Sequence, residues 1–325
     1  MRSLFRDLLT SLLMGLVLPG ILLNTADYFL NQPTAVSENQ ESEAQMKDPA
    51  GEMRMLLRNA DGSKTEMNLD AYLVGVVLAE MPASFETEAL KAQAVAARTY
   101  TLKALKTGGK HGDGSVCTKA SCCQAYMTEA DYSARGGTQE AVDKIRSAVT
   151  STSGRVLTFA GELIEATYFS CSGGTTEDAA AVWGVDFPYL QSVSSPGEEN
   201  AVHYMDTVSF TPREFQNALG VILSGSPDSW FGETTYTEGG GVSTMLIGGE
   251  SYSGTQLREL LKLYSTNFTI TAGDVVTITT YGYGHRVGMS QYGADAMAVA
   301  GSGYEEILSH YYPGTELTLL PSDEA

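Results

Sequence analysis

The sequence predicts an α+β protein, with helical and β-rich portions preceded by an N-terminal transmembrane helix. Three observations carry this. An uncharged, mostly apolar run spans 8–26 behind Arg2 and Arg6. Helical periodicity dominates the first part of the body, and from 155 onward β-branched, glycine-punctuated segments alternate with short amphipathic ones. Helices precede strands in the first half and strands precede a helix in the second, which favours α+β over a parallel α/β sheet.

The run at 8–26 is close to the roughly 20 apolar residues that a bilayer span needs. With its cations on the N-terminal side, it is oriented with the N-terminus in the cytoplasm and the body outside. A cleavable signal peptide is the competing reading, because Pro19-Gly20 interrupts the run. We therefore assign 1–30 as a membrane anchor, 31–52, rich in Gln, Ser, Glu and Asn, as a flexible tether, and 53–322 as the folded body.

Within the body, residues 54–57 and the turn at Asp61-Gly62 predict a hairpin. A helix over 69–79 follows, ended by Pro82, and a second over 86–106, ended by Gly108-Gly109. The spacing of Ala141, Val142, Ile145, Ala148 and Val149 predicts a helix over 138–151. Strands are expected at 155–159, 163–169, 267–270 and 274–280, and helices from Pro212, over 256–264 and over 304–311. The stretch 223–254, rich in Gly, Ser and Thr, has little periodicity and yields no element.

The chain has 325 residues, 43% of them hydrophobic, which is ample for a core. Its 39 acidic side chains against 20 basic ones give a net charge of −19, which excludes general affinity for nucleic acid or anionic lipid. Polar sites for sugars or peptides remain open.

In "AEMPASFETEALKAQAVAARTY" (79–100) Glu80 ends an apolar helix, where burial would raise its pKa and suit it to general-acid chemistry. Simple hydrogen bonding to backbone amides is the plainer reading. Lys91 and Arg98 lie seven residues apart, so they point the same way along an alanine-dense helix. They either meet an anionic or polar ligand or pair with Glu86 or Glu88. The loop "YGYGHRVGMSQYG" supplies His285, Ser290 and Gln291 among glycines that permit close approach, and it lacks the context of a nucleotide fingerprint. In "EATYFSCSGGTTEDAAAVWG" alternation puts Tyr168 and Ser170 on one strand face, while Trp183 can stack on a sugar ring or anchor a core. His111, Cys117, Cys122 and Cys123 crowd one loop in a set that suits tetrahedral zinc. In an exported protein, a disulfide from Cys117 to Cys122 or Cys123, or two bridges including Cys171, fits as well.

Taken together, "YLVGVVLAEMPASFETEALKAQAVAARTY", "TYFSCSGGTTEDAAAVWG" and "SGTQLRELLKLYSTNFTI" with "YGYGHRVGMSQYGADAMAVAGSGYEEILSHYYPGTEL" resemble the stage II sporulation protein D family, which includes amidase enhancers. The resemblance covers about 53–320. It implies two lobes around a substrate cleft and a lytic transglycosylase that cuts peptide-stripped peptidoglycan strands during engulfment, leaving 1,6-anhydro ends. Its implied partners are a sporulation amidase and a membrane scaffold protein, and its implied place is the cell membrane, with the body on the outer face. By matched position, Glu80 is the expected acid/base. Lys91, Gln93, Arg98, Tyr168, Ser170, His285, Ser290 and Gln291 are the expected lining of the cleft, with the two cations on muramic carboxylates. Clostridial-type members bind zinc where this chain has His111, Cys117 and Cys123, which implies a structural zinc ion with Cys122 or solvent as fourth ligand. Two departures stand out. Arg286 replaces the usual glycine, with a narrower cleft or an added anion contact as the expected result, and Cys171 replaces serine or threonine. The rival readings are a glycan-binding amidase enhancer that does not cut, and a zinc hydrolase.

Overall fold

The computed structural model describes residues 53–320, so the expected anchor and tether lie outside the described residues. Among the described residues no helix is long and apolar enough to cross a membrane.

The body is mixed α+β, with nine α-helices and several small sheets among the described residues. Strands β1 (Arg54–Arg58) and β2 (Lys64–Asn68) form the expected hairpin, turning at Gly62 with φ 87°. Asn68 then caps α1 (Leu69–Glu80) by accepting from the Ala71 N–H. This helix is apolar on every side and buried from Leu69 to Leu78 except at its first turn, as a central helix must be. It stops where Met81 turns extended ahead of Pro82.

Helix α2 (Thr87–Lys106) is the hub of the helical portion. Around it pack α1, α4 (Gln139–Ser151), α8 (Gln291–Val299), α9 (Tyr304–Tyr311) and strand β4 (Arg155–Phe159). Ala89, Ala92, Ala94, Ala96 and Ala97 are fully buried, so the alanine density of α2 reflects close approach on several sides at once. Strand β3 (Ser115–Cys117) joins β1 in parallel, and α3 (Glu129–Ala134) precedes α4. Strand β4 lies between β14 (Glu316–Leu319) and the two-residue β5 (Glu162–Leu163). Where one strand was expected over 163–169, the chain instead forms β5 and a separate β6 (Tyr168–Phe169), and α5 (Ala179–Trp183) follows.

The β-rich portion is contiguous over 205–281. It comprises β7 (Met205–Phe210), α6 (Pro212–Leu219), the meander β8 (Phe231–Tyr236), β9 (Val242–Ile247) and β10 (Glu250–Ser253), then α7 (Gly254–Leu261), β11 (Phe268–Ala272) and β12 (Val276–Tyr281). Its own core joins Phe215, Trp230, Val242, Ile247, Leu257, Phe268 and Ile278. After it, β13 (Met289–Ser290) pairs in parallel with β6 and returns the chain to the helical portion. Gly288, at φ 84°, makes this possible, because a Cβ there would sit 2.1 Å from the Thr167 carbonyl oxygen.

Candidate active site

Glu80 emerges from the buried end of α1, partly exposed, with Oε1 accepting the Ala125 N–H at 2.8 Å. Burial pushes its pKa above the ordinary carboxyl value, and the Ala125 amide and the neighbouring Gln291 amide pull part of the way back. The Nε2 of Gln291 is buried with no partner in close hydrogen-bond geometry, and the acceptor it faces is the Glu80 carboxyl.

Ala125 belongs to a strap, residues 124–127, laid along α1. Its Tyr126 ring stacks on Tyr72 at 5.5 Å and occupies the space beside Gly75, where a Cβ would lie 2.3 Å from the ring. Met127 N–H donates to the Gly75 carbonyl at 3.0 Å. Gln124 ties the strap inward, donating to Thr101 Oγ1 at 2.8 Å while its Oε1 accepts the Tyr168 hydroxyl at 2.8 Å. Burial, then the Glu80 charge, holds the Tyr168 phenol well above its usual value, so it is a hydrogen-bond donor and not a base. Gln124, Tyr72 and Ala125 thus join the surroundings of Glu80, and none of them stands out in the sequence.

The loop 281–288 brings His285 to the backbone of Tyr168, between Phe169 at 5.7 Å and Trp183 at 5.3 Å. Its Nδ1 accepts the Val287 N–H at 3.1 Å, which leaves the proton on Nε2. Burial first, then the Arg258 charge, lowers its pKa to about 4, so the ring is neutral near pH 7. Trp183 is 37% exposed, a surface ring on His285.

Several expected lining residues sit elsewhere. Arg98 is 1% exposed and engaged through both terminal nitrogens, with Nη1 on the Thr152 and Arg155 carbonyls at 2.8 and 3.3 Å and Nη2 on Asp70 Oδ1 and the Val149 carbonyl, both at 3.1 Å, while its Nε is buried without a partner. It satisfies the C-terminal carbonyls of α4, a helix-capping duty in place of the expected sugar contact. Lys91 pairs with Glu88 at 2.7 Å, three residues back, and lies 5.8 Å over the Tyr304 ring. Gln93 is completely buried with neither end of its amide hydrogen bonded, away from any surface that a polymer touches. Ser290 is the N-cap of α8, accepting from Gly293 N–H at 3.1 Å and donating to the Ser170 carbonyl at 3.3 Å. Ser170 also accepts the Tyr292 N–H at 3.0 Å, so both serines fasten β6 to α8. Arg286, at φ 65°, is completely buried and neither narrows a cleft nor offers an anion contact. Its guanidinium bonds the Ser172, Thr175 and Gly239 carbonyls and pairs with Glu177 at 3.1 Å, while Glu177 Oε1 accepts from Thr237 Oγ1 and Gly241 N. This network joins the helical and β-rich portions.

His111, Cys117, Cys122 and Cys123 bring their ligand atoms within 4.8 Å of one another, and all four cysteines of the chain are free thiols. His111 Nε2 lies 3.7 and 3.6 Å from the Cys122 and Cys123 sulfurs, which are themselves 3.9 Å apart. Tetrahedral zinc, with Zn–S near 2.3 Å and Zn–N near 2.05 Å, requires edges of about 3.6 Å (S to N) and about 3.8 Å (S to S). The set therefore fits a metal ion and not a disulfide, and Cys171 is buried elsewhere, bridged to Tyr283. Burial and neighbouring thiols push Cys123 up to about 12, so three thiolates need a cation among them.

A family model described as stage II sporulation protein matches residues 60–159. Stage II sporulation protein D of Bacillus subtilis (strain 168) is 40% identical over 295 residues, covering 89% of this chain and 85% of that protein. The chain belongs to the stage II sporulation protein D family. Its counterpart in Bacillus amyloliquefaciens is 40% identical over 266 residues, covering 80% of this chain and 77% of that protein. Within the same circle, the amidase enhancer of Bacillus subtilis (strain 168) is 31% identical over 305 residues, spanning 76% of this chain and 40% of that longer protein. The profile match to the sporulation family contains α1, the strap and the metal-type loop, the parts that surround Glu80.

Proposed function

We infer that this family member is a membrane-anchored lytic transglycosylase that cuts the bond between muramic acid and glucosamine in peptide-stripped peptidoglycan during sporulation. The observation that carries the reading is Glu80: a partly exposed carboxyl with a raised pKa, fixed by the Ala125 amide and faced by the Gln291 amide. A raised pKa keeps the acid protonated closer to neutrality, as proton donation to a glycosidic oxygen requires. The resulting carboxylate then accepts the proton of the muramic C6 hydroxyl as that oxygen bonds to C1, closing a 1,6-anhydro ring. Because the nucleophile belongs to the substrate, the second carboxylate that an ordinary glycosidase places opposite the acid is not needed.

The Tyr168 hydroxyl, whose proton goes to Gln124 Oε1, would accept from a sugar hydroxyl, neutral His285, bonded to the Tyr168 backbone, would fix the loop, and Trp183 would offer a stacking face. The His111, Cys117, Cys122 and Cys123 set would hold zinc as a structural ion, supplying rigidity to the loop from which the strap departs. Cys123 is two residues from the amide that positions Glu80. The anchor over 1–30 would tether the body on the outer face of the membrane, beside an amidase that strips stem peptides and a membrane scaffold protein.

The likeness to the amidase enhancer supports a second reading, a module that binds denuded glycan and presents it without cutting. Mass spectrometry of peptide-free strands digested by the native chain and by Glu80→Gln decides. Anhydro ends from the native chain and intact strands from the variant are expected. Intact strands from both favour the binding module, and reducing muramic ends refute the transglycosylase step.

A further inference from the structure

A peptide-stripped strand carries a free lactyl carboxylate on each muramic acid, and the two cations expected to meet it are taken, Lys91 by Glu88 and Arg98 by α4 and Asp70. Arg258 is not taken. It lies on α7, half-buried, and forms no ion pair or side-chain hydrogen bond among the described residues. A desolvated guanidinium without an acceptor is costly, which makes the position a place for an incoming anion. Glu259 beside it is exposed and does not pair with it.

The backbone ties this arginine to the candidate site. Leu263 N–H turns back to the Arg258 carbonyl at 2.9 Å, and the Tyr264 carbonyl accepts the Gly284 N–H at 3.1 Å, seating the end of α7 on the His285 loop. The Arg258 charge reaches His285, and Tyr283 lies near enough to act on Arg258. Next to it three rings form a cluster open to solvent: His203 stacks on Tyr264 at 4.4 Å, and Tyr283 meets His203 at 5.0 Å and Tyr264 at 5.1 Å. Tyr264 is 37% exposed and Tyr283 40%, and Asp206 holds His203 at 2.8 Å. Exposed aromatic faces in the neighbourhood of an unpaired cation match a pyranose bearing an acid, apolar on one face and anionic at one substituent.

We propose that Arg258, Tyr264 and Tyr283 form an acidic-sugar subsite, in which the tyrosines carry a muramic acid ring and the guanidinium binds its free lactyl carboxylate. The subsite rests on the glycan-cutting reading and adds its selectivity: a stem peptide converts the carboxylate to an amide, so only stripped strands present the charge that Arg258 lacks.

The test is calorimetric titration of the full chain carrying Glu80→Gln with two probes, a tetrasaccharide of alternating glucosamine and muramic acid with free lactyl groups, and the neutral N-acetylglucosamine tetramer. The first should bind more tightly. Adding Arg258→Gln should weaken the muramic probe about tenfold and leave the neutral probe unchanged, as expected for loss of one charge-assisted contact. Arg258→Lys should restore part of the preference, and Tyr283→Ala should weaken both probes. Should Arg258→Gln fail to fold, the lysine variant carries the same comparison, and a preference in it equal to the native one overturns the subsite. An undiminished preference in Arg258→Gln, an equal fall for both probes, or no binding of either overturns the subsite. Digestion of the same strands by the native chain separates the two claims. Arg258-dependent binding without cutting keeps the subsite and ends the transglycosylase reading, whereas cutting without an Arg258-dependent preference does the reverse.

Discussion

Replacing Arg98 by methionine separates a structural arginine from a sugar-binding one. The native guanidinium donates to three backbone carbonyls, of Val149, Thr152 and Arg155, and to Asp70. Methionine keeps the packing volume but donates nothing, while the Thr152 carbonyl keeps the Arg155 N–H and the Val149 carbonyl keeps the Thr152 N–H and hydroxyl. Asp70 is 31% exposed and bonded to Ser153 Oγ at 2.6 Å, so it recovers water and contributes less to the loss. A hydrogen bond from a charged donor contributes about 1.5–3 kcal/mol, and because most of the acceptors keep another partner or reach water, a total of about 3–5 kcal/mol is expected for the four lost bonds. At about 2–4 °C per kcal/mol for a body of this size, the melting midpoint should fall by roughly 6–20 °C. The assay is thermal unfolding followed by circular dichroism, with glycan binding measured well below the new midpoint. Binding should survive in the folded fraction. A midpoint within about 2 °C of native together with lost binding would refute the capping role and return Arg98 to the sugar.

Three further predictions follow from the strap and its neighbours. Burial raises the Glu80 pKa above its ordinary 4.5, so the native state keeps a proton that the unfolded chain releases. That group's contribution to stability is whole at about pH 4 and is lost as pH climbs through the raised value, so Glu80→Gln should melt with the native chain near pH 4 and above it at higher pH; equal midpoints throughout would contradict the shift. Gly75→Ala puts a Cβ 2.3 Å from the Tyr126 ring and should cost about 1–3 kcal/mol by overpacking. It also loosens the Ala125 amide from Glu80, which moves the alkaline limb of the pH–rate profile upward, and an unmoved limb would show that the strap does not govern the acid. Cys117→Ser, or dialysis against a chelator, should lower the melting midpoint, and an unchanged midpoint in metal-replete buffer would exclude a structural metal at the loop.

Many of the helices, in both portions, were legible because their signals are local. Asn68, Thr138, Thr211 and Ser253 cap the helices that follow them, and Pro82 and Gly108 mark two ends. The meander β8 to β10 was not legible, because its burial depends on a core supplied by distant Phe215, Leu257 and Phe268. Helix α8 was hidden by Gly293, which sits where Tyr311, Ser195 and Glu198 press in and no side chain fits. Glu80 could be read from its place at the end of an apolar helix, since burial of α1 follows from composition alone. The destinations of Lys91 and Arg98 could not. Seven residues put both on one face of α2, but α4 covers only one end of that face. Gln124 and Ala125 gave no periodic signal, and adjacency to Cys122 and Cys123 was the one clue.

The pairing of Arg286 with Glu177 bears on how a long polymer reaches Glu80. Enzymes that close on their substrate need a joint between their halves, and here the joint is spanned by a desolvated cation held by carbonyls from both sides. Opening it would strand two charges in a dry interior. On the proposed function, the glycan would settle onto a preformed bed, and turnover would be limited by how the strand slides or lifts away and not by the swing of a jaw.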